Sequence, residues 1–259
     1  MAGKEIPYEF GSDERFIAKK LMEAANNCYN RGIPVATDFL DLYSQEIFSS
    51  IIKSLPPVCS IAMGGYELAE RKLILFIPDE EYQYDLPYDT IRIEPVSARY
   101  SEKLTHRDFL GSIMGLSINR EKFGDVIVDD GSALFFCVKS VTDYVLNNLT
   151  QVRNTIVKTY ITDDIDRNYE PAYKEITGSV ASVRLDSVIS LGFGFSRNHV
   201  IPYIEGGKTS VNGKIITTNA YSLHEGDIVT VHSLGKIRFM RSVSETRKGR
   251  TVVVIHKYQ

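Results

Sequence analysis

Apolar residues recur every three or four positions in the first 55 residues, which is the spacing of amphipathic helices. The first helix is predicted to begin after Ser12, and the second ends at Pro56-Pro57 because proline lacks the backbone donor that a helix needs. Two short apolar runs, residues 58–63 and 72–77, are predicted strands. We therefore predict a small N-terminal α/β domain over residues 1–78.

The period of the apolar residues changes repeatedly in the next segment, residues 79–168, which begins with an acidic, tyrosine-rich linker. Asp130-Gly131 between two apolar runs is a strong signal for a hairpin. The predicted order is strand 90–96, helix 105–116, strand 125–128, strand 133–138, helix 141–149 and strand 155–161. This β-α-β-β-α-β order predicts a ferredoxin-like middle domain, a fold that RNA-binding modules share with many unrelated proteins. The strand with Phe135 and Phe136 lacks the basic-Gly-aromatic pattern of such modules, so both rings are predicted to be core.

The last segment, residues 175–259, opens with a predicted strand and continues with two short helices and several strands. Ser196 is a good N-cap for the second of these helices. Pro202 falls inside that helix, so the extent of the helix beyond it stays open. The whole chain is thus predicted to have an α+β fold in three domains.

Charge is distributed unevenly along the 259 residues. From Gly178 onwards the chain has 11 Lys and Arg against 5 Asp and Glu, whereas residues 1–177 have 19 against 28. Such an asymmetry indicates a nucleic-acid-binding end, although a solvated basic face would give the same count. The composition, 43% hydrophobic and 24% charged, is otherwise that of a globular protein.

Five short motifs follow one another over about 45 residues of the basic segment. They are Arg184-Leu185-Asp186, Ser196-Arg197, Glu205-Gly206-Gly207-Lys208, Val211-Asn212-Gly213 and Glu225-Gly226-Asp227-Ile228. In this order they resemble the signature of the S-four domain family, in which paired helices and the following loop face RNA. The resemblance implies RNA contacts by Arg184, Arg197, Lys208, Asn212 and Lys214. We predict further contacts by Ser196, Asn198, Lys236 and Arg238. Basic side chains would bind phosphates, while Asn212 either contacts RNA or forms the Asn-Gly turn.

Two further basic clusters are candidates for a second RNA or ribosome contact. His106 and Arg107 precede Asp108 at the start of a predicted helix, where the alternative is a purely structural first turn. Arg247, Lys248 and Arg250 lie between two predicted strands and either extend the RNA surface or decorate a hairpin.

Motifs upstream of the basic segment resemble the YlmH family over nearly the whole chain. They are Thr37-Asp38-Phe39-Leu40-Asp41, residues 64–72, His106-Arg107-Asp108-Phe109-Leu110-Gly111 and Arg120-Glu121-Lys122-Phe123-Gly124-Asp125. The resemblance implies an RNA-binding factor in ribosome-associated quality control, with the ribosome, large-subunit ribosomal RNA and tRNA as partners. The alternative is a protein-interaction factor linked to cell division that binds RNA weakly.

No catalytic or cofactor-binding pattern was found in the sequence. The five histidines and three cysteines lack the spacing of metal ligands, and Ile113 occupies the position where a kinase-like loop would need Asn. No apolar run reaches the length of a membrane span, and the first residues lack the pattern of a leader. We therefore expect a cytoplasmic, non-enzymatic protein with no cofactor, no metal and no membrane partner.

Overall fold

The computed structural model describes residues 10–97 and 102–258, which form a mixed α+β fold, as predicted. The chain divides into two compact units, Met1–Tyr169 and Glu170–Gln259, called here the N-terminal and C-terminal units. Each unit has its own hydrophobic core.

The N-terminal unit begins with two amphipathic helices on a small sheet. Its elements are α1 (Ser12–Arg31), β1 (Val35–Ala36), α2 (Leu42–Ile51), β2 (Cys59–Met63) and β3 (Leu73–Ile77). The antiparallel sheet has the order β1-β3-β2. Gly11 caps α1, one residue before the predicted start, and its N–H donates to the Glu14 carboxylate at 2.8 Å. Buried residues of α1, α2 and β3 pack together as the periodicity predicts.

The rest of this unit has the predicted ferredoxin-like order. Its elements are β4 (Tyr88–Pro95), α3 (His106–Met114), β5 (Phe123–Asp129), β6 (Ser132–Val138), α4 (Lys139–Asn148), β7 (Gln151–Val152) and β8 (Thr155–Ile161). The sheet order is β5-β6-β4-β8-β7, with every neighbouring pair antiparallel. Asp130 and Gly131 form the predicted β5–β6 turn with φ values of 40° and 78°.

Both faces of this sheet are covered around β6. Phe135 is fully buried in the core beneath α3 and α4, whereas Phe136 packs on the other face against Tyr66 and Tyr88. The prediction that both phenylalanines are core is therefore confirmed. Because the face that displays base-stacking aromatics in related RNA-binding modules is covered here, Phe136 cannot stack on RNA. Residues on both sides of position 78 share this core, and the division proposed there stays a prediction.

Three of the motifs that resemble the YlmH family meet at one partly buried polar cluster. The Asp125 carboxylate accepts hydrogen bonds from the Tyr66 hydroxyl at 2.8 Å and from the backbone N–H groups of Glu70 and Arg71 at 2.7 and 3.1 Å. The Arg71 guanidinium donates to the carbonyl oxygen of Phe39 at 2.8 Å. These side chains satisfy loop backbone groups that burial would otherwise leave unpaired, so their role in the fold is structural.

The C-terminal unit is a sheet with two helices on one face. Its elements are β9 (Tyr173–Val180), α5 (Leu185–Phe193), α6 (Arg197–Glu205), β10 (Thr209–Val211), β11 (Lys214–Ile215), β12 (Ile228–Val231), β13 (Gly235–Glu245) and β14 (Thr251–Tyr258). The antiparallel sheet has the order β11-β10-β12-β13-β14-β9. Val188 of α5 and Val200 of α6 are buried against Ile237 and Phe239 of β13.

Pro202 does not interrupt α6, which continues to Glu205. Because proline has no N–H, the helix lacks the hydrogen bond from position 202 to the carbonyl oxygen of Asn198. Asn198 is exposed, so water can donate to this carbonyl instead. Val200 and Ile204 are fully buried on the core side of the helix. Packing of these two side chains stabilises the turn that the proline weakens.

Candidate nucleic-acid interface

Two arginines predicted to bind RNA converge on one buried carboxylate. Oδ2 of Asp186 lies 3.3 Å from Nη2 of Arg184 and 3.6 Å from Nε of Arg197. The Asp186 side chain is only 5% exposed, whereas those of the two arginines are 38% and 46% exposed. Arg197 also donates to the Ser187 hydroxyl, and Oδ1 of Asp186 accepts the Ser187 N–H at 2.8 Å. The carboxylate thus fixes two guanidinium groups that are partly exposed to solvent, although Nε of Arg184 is itself buried and has no hydrogen-bond partner among the described residues.

The turn between α5 and α6 explains why these arginines are neighbours. Arg184 is the N-cap residue of α5, and Arg197 is the first residue of α6. Gly194 ends α5 in the left-handed conformation, with φ 71°, which lets the chain reverse. Ser196 occupies the predicted N-cap position, but its hydroxyl makes no capping hydrogen bond. Ser196 and Asn198 are both exposed beside Arg197.

A third arginine lies beside Arg197, although it comes from the β13–β14 hairpin, which is distant in the sequence. Arg250 lines a cavity of about 400 Å³ together with Arg197, Ser187 and Ser190. Its Nη2 donates to the carbonyl oxygen of Ser179 at 2.6 Å, and its Nε donates to the Ser179 hydroxyl at 3.1 Å. These bonds hold Arg250 against β9. The cavity therefore combines two cations with hydroxyl groups, which is the donor set that binds phosphate oxygens.

The other two basic residues of this hairpin lie at its tip. Arg247 and Lys248 are exposed in the turn between β13 and β14, where Gly249 has φ 68°. Neither side chain lines the cavity beside Arg197.

Lys236 and Arg238 lie on the opposite face of the C-terminal sheet. Their neighbours Ile237 and Phe239 point into the core beneath the helices, and successive side chains of a strand point to opposite faces. Nζ of Lys236 lies 5.8 Å from the centre of the Tyr258 ring, and Nε of Arg238 donates to the Gly226 carbonyl at 3.3 Å. The predicted contacts are therefore distributed over two faces.

The three remaining predicted contacts of this unit lie at its β10–β11 edge. Lys208 and Lys214 are exposed there. The Asn212 side chain donates to Asp227 at 3.0 Å and accepts the Ile228 N–H at 2.9 Å, and its φ is 48°. Because both ends of the amide are engaged within the protein, the geometry favours the turn-forming role of Asn212 over direct RNA contact.

In the N-terminal unit, His106 and Arg107 are exposed in the first turn of α3. The Asp108 carboxylate accepts hydrogen bonds from the Thr105 hydroxyl at 2.7 Å and the Thr105 N–H at 2.8 Å. These bonds lower the pKa of the Asp108 carboxyl, and the bond from the Thr105 hydroxyl has the larger effect. Asp108 therefore caps the helix, as the structural interpretation of this motif proposes.

Two other features of the described chain bear on the kind of site. Within residues 10–97 and 102–258, no group of three or more His, Cys, Asp or Glu side chains is arranged to hold a metal ion. Over the same ranges, no helix combines the length and the apolar character needed to cross a bilayer.

Two regions of the chain match families of RNA-binding domains. Residues 89–164 match the family described as "Putative RNA-binding domain in YlmH", and residues 183–229 match the S4 domain. The chain thus carries the YlmH-type RNA-binding domain followed by an S4 domain, and the predicted resemblance to the YlmH family is confirmed.

Over 98% of its length the chain is 27% identical to "Ribosome-associated protein quality control protein P2" of Bacillus subtilis (strain 168), of which it covers 98%. Among solved structures it matches "Cell division protein ylmH from Streptococcus pneumoniae" at 20% identity with a TM-score of 0.48, over 62% of this chain and 100% of that one.

Proposed function

We propose that this protein is a non-enzymatic factor that binds ribosomal RNA, tRNA or both on the large ribosomal subunit. We assign it to quality control of stalled nascent chains in the cytoplasm, and the name of its Bacillus subtilis relative, "Ribosome-associated protein quality control protein P2", supports the ribosome-associated part of this assignment. The observation that carries the proposal is the cluster in which Arg184 and Arg197 are held by Asp186 beside Arg250.

The charge of the chain supports this assignment. RNA binding releases counterions from phosphates, so a protein domain that binds RNA gains affinity from each exposed cation on one face. Arg184, Arg197 and Arg250 supply three such cations at the helix face of a segment with 11 basic and 5 acidic residues. Residues 1–177 have 19 basic against 28 acidic residues, so we expect most of the electrostatic attraction to RNA to come from the C-terminal segment.

The state of Asp186 supports a binding role over a catalytic one. An aspartate that acts as a nucleophile or a general base needs a carboxylate that reaches the substrate. Here the carboxylate is almost fully buried and is engaged by Arg184, Arg197 and Ser187. The acidic residue of the Arg-Leu-Asp motif thus positions the arginines.

RNA crosslinking and sequencing in cells tests the proposal, with the wild-type chain beside an Arg184→Ala/Arg197→Ala variant. We expect enrichment of large-subunit ribosomal RNA and tRNA that the variant loses. A Lys19→Ala/Lys20→Ala variant is the matched control, because it removes the same charge from exposed positions on α1. Equal loss of crosslinked RNA in both variants would mean that net charge, and not the position of these arginines, determines RNA binding.

The salt dependence of binding measures the same contacts in vitro. If the C-terminal unit neutralises roughly 4 to 6 phosphates, the slope of log affinity against log salt is about −3 to −5. The double arginine variant should make that slope shallower by about 1.4 to 1.8, at 0.7 to 0.9 for each contact. Absence of RNA enrichment in cells, together with division proteins that co-purify after RNase treatment, would instead support the protein-interaction alternative.

A further inference from the structure

Three aromatic side chains form a row along the outer side of α6. The Phe195 ring stacks on the His199 ring with 4.5 Å between centroids and 29° between planes. The Tyr203 ring follows at 5.9 Å from His199. Residues four apart lie on the same face of a helix, so the spacing of His199 and Tyr203 produces the row.

The first two rings of this row are open to solvent. Phe195 is 40% exposed and His199 is exposed, whereas the opposite side of α6 carries the buried Val200 and Ile204. The core of the unit is therefore complete without these two rings. An exposed aromatic stack beside arginines has the composition that binds unpaired nucleic-acid bases, because every base has a face that can stack.

The row borders the basic cavity. Phe195 lines the same cavity of about 400 Å³ as Arg197 and Arg250, together with the serines at 179, 187 and 190. An aromatic surface, two guanidinium groups and several hydroxyls thus lie at one opening. These are the groups needed to bind the base, the phosphate and the sugar of one nucleotide.

We propose that Phe195 and His199 form a stacking subsite for one unpaired RNA base, whose adjoining phosphate is bound by Arg197 and Arg250. This inference rests on the proposed RNA-binding function and adds the class of RNA. Bases within a continuous duplex are stacked on each other and cannot lie on Phe195. The preferred ligand is therefore RNA with a bulged or looped-out base.

The test compares two blunt RNA duplexes that differ by one bulged adenine, using the full-length chain. We expect tighter binding of the bulged duplex. Phe195→Ala should weaken binding of that duplex by about 5- to 150-fold, the range expected for loss of one base–aromatic stack, and leave the continuous duplex unchanged. Phe195→Trp should restore the preference, because it keeps an aromatic surface.

A control and a direct readout accompany the affinities. Tyr29 is 55% exposed on α1 and serves as the matched aromatic, so Tyr29→Ala should change neither affinity. With 2-aminopurine at the bulge, fluorescence should be quenched by the wild type and not by Phe195→Ala. Urea unfolding of each variant verifies that the fold is intact.

The outcomes separate the two proposals. If Phe195→Ala binds and quenches like the wild type while Arg184→Ala/Arg197→Ala loses RNA, the stacking subsite is overturned and the phosphate site stands. Equal weakening of both duplexes by Phe195→Ala also overturns stacking. If the wild type binds neither duplex nor ribosomal RNA, the proposed function itself fails.

Discussion

Arg197 and Arg250 should act as one phosphate site, and a double-mutant cycle can measure this. Both side chains line one cavity although 52 positions of sequence separate them. A hydrogen bond from a charged donor contributes about 1.5–3 kcal/mol, and both arginines are exposed, which favours the lower end of that range. Each single Ala variant should therefore weaken RNA binding by roughly 10-fold or more.

The interaction energy between the two substitutions is the quantity that tests whether Arg197 and Arg250 share one phosphate. Residues that share a partner show interaction energies of about 0.5–3 kcal/mol, whereas independent positions add to within about 0.3–0.5 kcal/mol. We expect coupling of at least about 0.5 kcal/mol for Arg197 and Arg250. Arg238 is the matched control, because it lies on the opposite face of the sheet, and its loss should be additive with that of Arg197.

The assay is fluorescence anisotropy of a labelled RNA at about 50 to 200 mM salt, where phosphate contacts dominate the change in affinity. Arg250→Ala also removes two hydrogen bonds to Ser179, so the free energy of unfolding is measured for each variant. Loss of such exposed contacts should change it by about 0.5 kcal/mol or less. Additive losses for Arg197 and Arg250, with unfolding unchanged, would refute a shared phosphate.

The remaining predictions concern stability and thiol chemistry. Gly65 has φ 93°, and an added Cβ would lie 2.0 Å from the Phe136 ring, so Gly65→Ala should destabilise the protein by about 2–5 kcal/mol in urea unfolding. A Cβ added at Gly111 in α3 would meet nothing within 4 Å, so Gly111→Ala should stabilise the protein by about 0.5–1 kcal/mol. A Gly111→Ala variant less stable than Gly65→Ala would contradict the packing described here. Burial raises the pKa of Cys137 to about 11, so mass spectrometry after thiol labelling should find the half-buried Cys59 modified first. Equal labelling rates in the native protein would refute that order.

The sequence predicted best the features that depend on nearby residues. The ferredoxin-like order follows from alternating periods and the Asp130-Gly131 turn, both of which are local signals. The N-cap position of Ser196 and the burial of Phe135 and Phe136 were predicted in the same way. The continuation of α6 through Pro202 was not, because the stabilising contacts come from strands distant in the sequence.

The candidate site was harder to predict, because its residues come together only in the tertiary fold. The hairpin brings Arg250 beside Arg197, a contact with no local signature. The separation of Arg238 from Arg197, in contrast, follows from the alternation of side chains in β13. The four-residue spacing of Phe195 and His199 is also visible in the sequence, but the same spacing is typical of a buried helix face.

The contrast between the two sets of motifs has a consequence for where RNA contacts should be sought. Residues 64–72 and 120–125 resemble the YlmH family strongly, yet their polar groups are used to hold loops through Asp125. Arg120 is itself partly buried, and this burial together with the charge of Arg71 lowers its pKa to about 10. Substitutions there would reduce RNA binding by unfolding the domain. Exposed side chains that hold no buried loop, such as Phe195 at the cavity beside Arg197, are the positions where binding and folding can be separated.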